Sequence, residues 1–195
     1  MNKIIAITGG IGSGKSFALK IIKKLGYKSF SADLVYKNLQ KNKGFIMQIS
    51  SKLGVSPIVK DGKFYLDKQA ISNAVFNDKD KLKILNDFTH PKIMQKMIQR
   101  AKKCDGLVFC EVPLLYEGGY ENLFDFVFVI KRKDEDRFLS ASKRDKKTIE
   151  QIEIVAKNQF DYTNLTQNTH TFIIENDGDE VALTEKIKVA IQKII

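Results

Sequence analysis

Four glycines crowd into the six positions from Gly9 to Gly14, and this cluster limits the chain's options more than any other feature. The surrounding stretch, Ile5 to Gly26, reads IAITGGIGSGKSFALKIIKKLG. Glycine adds backbone entropy to be lost on folding and brings no side chain to pack. Upstream, Lys3 to Thr8 is a short apolar run rich in β-branched residues. Downstream, Phe17, Ala18, Ile21, Ile22 and Leu25 recur at helical spacing from Lys15 to Leu25. The glycines therefore join a strand to a helix N-terminus, where unpaired N–H groups and a partial positive charge favour an anion. Gly9-Gly10-Ile11-Gly12-Ser13-Gly14-Lys15-Ser16 completes the pattern G-x-x-x-x-G-K-[ST], the Walker A or P-loop signature. In that pattern the loop N–H groups wrap phosphates, the lysine reaches the outer ones and the hydroxyl ligates Mg²⁺, here Ser16.

The rest of the chain reads as α/β. Short apolar runs alternate with helical patterns, the arrangement of a parallel sheet. A second strand is expected in YKSFSAD, ending at Asp33. From Leu34 to about Lys103 the pattern is almost wholly helical, interrupted by Gly54, Pro57 and the turn KDGKF, and is too long for a simple crossover. Thr89 is expected to cap a new helix with Pro91 in its first turn, ending the helix before it. Strands follow at Leu107–Glu111 and in FDFVFVI, then helices near Asp134–Ser142 and Thr148–Gln159. The polar stretch DYTNLTQNTH is expected to be mobile. TFIIEN is the last strand, and Glu180–Ile194 is a closing amphipathic helix.

A length of 195 residues suits one well-buried core with inserted lobes. No apolar run approaches the roughly 18 residues of a membrane span, and with the first strand opening at Lys3 no signal segment is expected. Two cysteines and two histidines argue against a disulfide scaffold or a zinc site. Cys110, within LVFC, reads as core, and the location expected is the cytoplasm. The net charge of +10 is spread over many lysines, without an arginine-rich tail. It suits a phosphate-rich small substrate better than nucleic acid or a membrane.

A phosphate loop specifies nucleotide binding but not the reaction. The chain lacks an N-K-x-D guanine-reading motif and is short for an AAA-type ATPase. A helical insertion after the second strand and a basic helical segment after a later one point to a small-molecule kinase whose lid excludes water. Asp33, at the carboxyl end of a strand, reads either as the group that orients an acceptor hydroxyl and takes its proton, or as a helix N-cap. Glu111 and Glu117 read either as support for Mg²⁺ through water or as surface carboxylates.

Taken together, ITGGIGSGKS, SAD (Ser31–Asp33), HP (His90–Pro91), EVPLLYE (Glu111–Glu117), KRD (Lys143–Asp145) and IENDG (Ile174–Gly178) resemble the dephospho-CoA kinase family over nearly the whole chain. The resemblance implies ATP-dependent phosphorylation of the ribose 3′-hydroxyl of dephospho-CoA, the last step of coenzyme A synthesis. It implies a P-loop NTPase fold, three-layer α/β/α with a parallel sheet. Residues 1–35, 104–132 and 170–195 would form the nucleotide-binding core, 36–103 a helical CoA-binding lobe and 133–169 a lid. By position, Lys15, Asp33 and Arg144 are the expected catalytic residues, and Gly9 to Ser16 the ATP loop. Asn176 and Gly178 fall at the adenine end, and Arg144 reads alternatively as a solvated helix charge. Ser31 replaces a common aspartate, Glu111 stands where many members carry Asp, Ser140 occupies a common arginine position, and the segment after Gln159 is poor in arginine. The expected partners are ATP, Mg²⁺ and dephospho-CoA, with neither nucleic acid nor membrane, for a monomer or weak homo-oligomer. The competing readings are a nucleoside monophosphate kinase, which needs no aspartate beside a hydroxyl, and a non-enzymatic nucleotide-binding module, which the basic charge alone supports.

Overall fold

A computed structural model describes residues 2–76 and 78–195. The chain divides into two compact units, residues 1–30 with 100–195 and residues 31–99. Residues 133–169 fall within the first.

The first unit is organised by a five-stranded sheet in the order β2-β5-β1-β6-β7, with β1 Lys3–Thr8, β2 Lys28–Ser31, β5 Leu107–Glu111, β6 Phe126–Lys131 and β7 Thr171–Glu175. β1 runs parallel to both β5 and β6, and β6 parallel to β7. Strands flanked on both faces must be apolar on both, and the central ones are. Ile5, Ile7, Phe109, Phe128, Ile130, Phe172 and Ile174 pack with Ala18, Ile21 and Ile22 of α1 (Lys15–Lys24) and with Leu183, Ile187 and Ile191 of α8 (Glu180–Gln192). Ala6, Val108, Cys110, Val127 and Val129, which alternate with them, are equally buried. This is the three-layer α/β/α arrangement expected. The second strand stops at Ser31 rather than Asp33, because Ala32 already opens α2 (Ala32–Leu39).

The 31–99 unit holds α2, α3 (Lys43–Leu53), a hairpin of β3 (Ile58–Lys60) and β4 (Lys63–Tyr65), α4 (Lys68–Phe76) and most of α5 (Lys79–Ala101). It has its own core of Phe45, Ile46, Ile49, Leu53, Leu66 and Ile71. The hairpin corrects the nearly all-helical expectation. Asp61 and Gly62 both take positive φ, 50° and 69°, as the tight primed turn between twisted strands requires.

A second correction concerns Thr89 and Pro91. No helix ends there, and α5 runs 23 residues with Pro91 inside it. Thr89 is not a cap: its hydroxyl donates back to the Leu85 carbonyl at 2.8 Å. Proline inside a helix costs about 3 kcal/mol, but Leu85 and Phe88 before it pack on the unit's core, and Met94 and Met97 after it are buried. Burial on both sides outweighs the local break.

Back in the first unit, α6 (Asp134–Asp145) and α7 (Ile149–Lys157) lie close to their expected positions, α7 opened by a capping box of Thr148 and Gln151. The stretch DYTNLTQNTH that follows is irregular but bonded. Lys131 Nζ donates to the Leu165 carbonyl at 3.2 Å, and Asn168 Oδ1 accepts from the N–H of His170 and of Thr171, each at 2.8 Å.

Phe128 is fully buried, with ring centroids 5.8 Å from Phe109 and 5.7 Å from Phe172. Phe128→Ala should lower unfolding stability by about 3–5 kcal/mol, read by urea denaturation. A loss under about 1 kcal/mol would contradict this account of the core.

Candidate active site

Gly9 to Gly14 join the end of buried β1 to the start of α1, and Lys15 and Ser16 are the first two residues of that helix. The Ser13 N–H closes a turn on the Gly10 carbonyl at 3.2 Å, and Gly14 caps α1 from the left-handed region at φ 97°. The first turn of α1 carries no acidic residue, and its cap makes no side-chain hydrogen bond. A helix N-terminus without its own acceptor is a favourable place for phosphate oxygens.

The glycines serve a second need besides approach to an anion. A Cβ at Gly12 would collide with the Arg137 carbonyl, and one at Gly14 with Asn176 Nδ2. The loop is therefore packed tightly against its own protein at Gly12 and Gly14.

Lys15 Nζ donates to the Gly9 carbonyl at 2.7 Å and the Gly10 carbonyl at 2.9 Å. Its pKa is pushed down to about 8, chiefly by desolvation; Glu111 and Glu117 oppose the fall, while Arg144 and Arg137 add to it. The Ser16 hydroxyl donates to Glu111 Oε1 at 2.5 Å. Glu111 ends β5 opposite Ile7 of β1 and is only 6% exposed, so it is no surface carboxylate. Glu117 instead accepts the Phe160 N–H at 2.9 Å.

Asn176, at the end of β7, is buried. Its Nδ2 donates to the Ser13 carbonyl at 2.9 Å, and its own N–H donates to the Lys131 carbonyl at 2.7 Å. It thus ties the last strand to the phosphate loop. Gly178 lies in the turn before α8, where a Cβ would stand 3.0 Å from Ala182 Cβ. Arg144, on α6, pairs with Asp145 through two bonds of 2.7 and 2.8 Å. Asp33 belongs to the 31–99 unit, exposed in the first turn of α2. The cap of that helix is Ser31, so Asp33 is not the N-cap.

Sequence reasoning missed three residues that contact this loop or the strand leading into it. Gln159 Oε1 accepts the Ile11 N–H at 2.7 Å, Arg137 Nη1 donates to the Ile11 carbonyl at 3.3 Å, and the Tyr162 and Thr8 hydroxyls lie 3.1 Å apart. Each closes a contact across more than a hundred residues, with no local pattern to mark it.

Among the described residues no group of three or more His, Cys, Asp or Glu could hold a metal ion. No helix there is long and apolar enough to cross a membrane.

A loop of the pattern G-x-x-x-x-G-K-[ST] after the central strand of a mostly parallel sheet, with a buried carboxylate on its serine, defines the class: a P-loop kinase. Comparison with known proteins narrows the class. Residues 3–181 match the profile described as dephospho-CoA kinase. A dephospho-CoA kinase of Streptococcus agalactiae is 33% identical over 201 aligned residues, covering 100% of both chains. The solved dephospho-CoA kinase from Campylobacter jejuni superposes with a TM-score of 0.69 at 31% identity, over 100% of this chain and 98% of that one. A crystal structure from Thermus thermophilus gives a TM-score of 0.83 at 24% identity, over 100% and 98%, and so shares the fold. The chain belongs to the dephospho-CoA kinase family.

The depressed pKa of Lys15 has a signature in stability. Below pH 8 the lysine is charged in folded and unfolded chains alike, and its desolvation weakens the fold in full. Between about 8 and the unfolded value near 10.5 the unfolded chain holds the extra proton, so stability rises with pH. Measured by urea unfolding, wild type should therefore gain stability relative to Lys15→Met from pH 7.5 to 9.5. A difference that stays flat or falls would contradict the buried setting of this lysine.

Proposed function

We propose that this protein transfers the γ-phosphoryl group of ATP to the ribose 3′-hydroxyl of dephospho-CoA, giving coenzyme A and ADP. The observation that carries the reading is that Lys15, Ser16, Asp33, Glu111 and Arg144 all lie within the one stretch, 3–181, that matches the family. In this reading the amides of Gly9 to Ser16 hold the phosphates, and Lys15 neutralises charge that develops on the transferring group. Residues 36–103 hold the acceptor, residues 133–169 act as the lid, and Asn176 and Gly178 stand at the adenine end. Arg144 meets the phosphate chain from the lid, where its planar fork can give two parallel hydrogen bonds. The protein works in the cytoplasm as a monomer or weak homo-oligomer.

Asp33 takes the hydroxyl proton as the new O–P bond forms and the bond from the γ-phosphorus to its bridging oxygen breaks, with ADP leaving. Its exposure and its freedom from a capping role support this assignment. The Ser16–Glu111 pair fits a hard divalent cation. A hydroxyl and a carboxylate in contact are oxygen donors of the kind Mg²⁺ takes, and Mg²⁺ is commonly held by one or two protein groups together with substrate phosphates. Ser16 would hold it directly with Glu111 behind, and the ion would offset phosphate charge.

Asp33→Asn keeps the shape of the side chain but cannot usefully accept the proton. It should lower kcat with dephospho-CoA about a hundredfold or more and leave ATP affinity little changed. Retained kcat would remove Asp33 from the chemistry. Lost ATP affinity at unchanged kcat would move it to the nucleotide.

A further inference from the structure

Arg137 occupies a position that neither the motif nor the family resemblance singled out. It stands on α6 with its side chain only 17% exposed, although most cations of this lysine-rich chain point to water. Its guanidinium is fixed from two directions: Nε donates to Asp134 Oδ1 at 2.7 Å, and Cζ lies 4.4 Å from the centroid of the Phe138 ring. Nη1 reaches the Ile11 carbonyl at 3.3 Å, near the limit of a hydrogen bond. A Cβ at Gly10 would stand 2.8 Å from the same Nη1, so any side chain there would push the tip of the guanidinium aside. A cavity of about 530 Å³ is lined by Gly10, Ser13, Arg132, Arg137, Phe160 and Tyr162, among others.

Two cations thus stand over adjacent peptides of one loop, Lys15 on the carbonyls of Gly9 and Gly10 and Arg137 on that of Ile11. Asp134, the carboxylate that partners Arg137, is itself 70% exposed and so is partly screened by water. A neutral carbonyl at 3.3 Å is a weak acceptor for guanidinium; a phosphate oxygen is a much stronger one and can be met by two N–H groups at once. We infer that Arg137 is a phosphate-binding residue of this loop, receiving the outer phosphates of the nucleoside triphosphate beside Lys15. This rests on the reading of the loop as the ATP site. Arg132 Nη1 donates to the Ser140 hydroxyl at 2.9 Å, one helical turn beyond Arg137 on α6, so Arg132 is engaged there.

The test is equilibrium binding of ATP to the full chain, by calorimetry, for wild type, Arg137→Gln and Arg137→Lys. Arg137→Gln retains an amide donor for the Ile11 carbonyl but no charge, and should weaken ATP binding tenfold or more with little effect on the dephospho-CoA KM. Arg137→Lys keeps the charge and should recover at least half of that loss on a logarithmic scale. ATP affinity within twofold of wild type in folded Arg137→Gln would overturn the inference, as would equal losses in both variants, which mark a structural clamp. If Arg137→Gln does not fold, Arg137→Lys decides alone: a loss of fivefold or less supports the inference and a larger one overturns it. Failure of wild type to bind ATP would instead remove the underlying reading of the loop.

Discussion

The first unit is built around a loop that must take three positive-φ turns within six residues, at Gly9, Gly12 and Gly14, while packed closely against the rest of the chain. Gly12 and Gly14 meet that constraint because a side chain at either would strike Arg137 or Asn176. The rest follows from holding such a loop still. β1 fixes its entry by burial on both faces, α1 fixes its exit, and Asn176 ties its Ser13 carbonyl to the end of the last strand. The parallel order β5-β1-β6 then brings Glu111 to the neighbouring strand end, within reach of the Ser16 hydroxyl.

The loop also concentrates electrostatic cost in one place. Lys15 is held where desolvation lowers its pKa, with two arginines adding to the fall. Such an arrangement weakens the fold by itself, and in the proposed function phosphate binding would offset it, the usual relation between a pre-organised site and stability. Glu111, buried on Ser16, and Glu117, bonded to the Phe160 N–H, oppose part of the repulsion. The carboxylates that reading the sequence leaves ambiguous thus acquire separate places. One meets the loop hydroxyl; the other anchors the segment after α7.

The parts legible in the sequence are those governed by local rules. The phosphate loop needs only its own eight residues, and β1 and β5 are bounded as their apolar runs indicate. The Asp61–Gly62 hairpin is also locally encoded, since Asp-Gly between Ile-Val-Lys and Lys-Phe-Tyr is a strong turn signal. The turn KDGKF is legible, but strands of three residues each are too short to stand out from the helical pattern on both sides. The unbroken α5 was not legible, because burial of Met94 and Met97 beyond Pro91 is a tertiary fact. Nor were Gln159 and Arg137 at Ile11, contacts across 148 and 126 residues that depend on how α6 and α7 fold back on the loop. Motif reading finds the groups that meet phosphate in many proteins. It does not find the ones a particular chain brings to the loop from distant segments.

The central claim is that this phosphate loop serves transfer to a hydroxyl of dephospho-CoA. The most direct measurement is ATP consumption by the purified full chain with Mg²⁺ and dephospho-CoA, AMP, CMP or no acceptor, with the position of the new phosphate on the product identified. The account predicts turnover with dephospho-CoA well above the other three conditions and a new phosphate on the ribose 3′-oxygen. Turnover with AMP or CMP but not dephospho-CoA, or no rise above the acceptor-free rate, would contradict it.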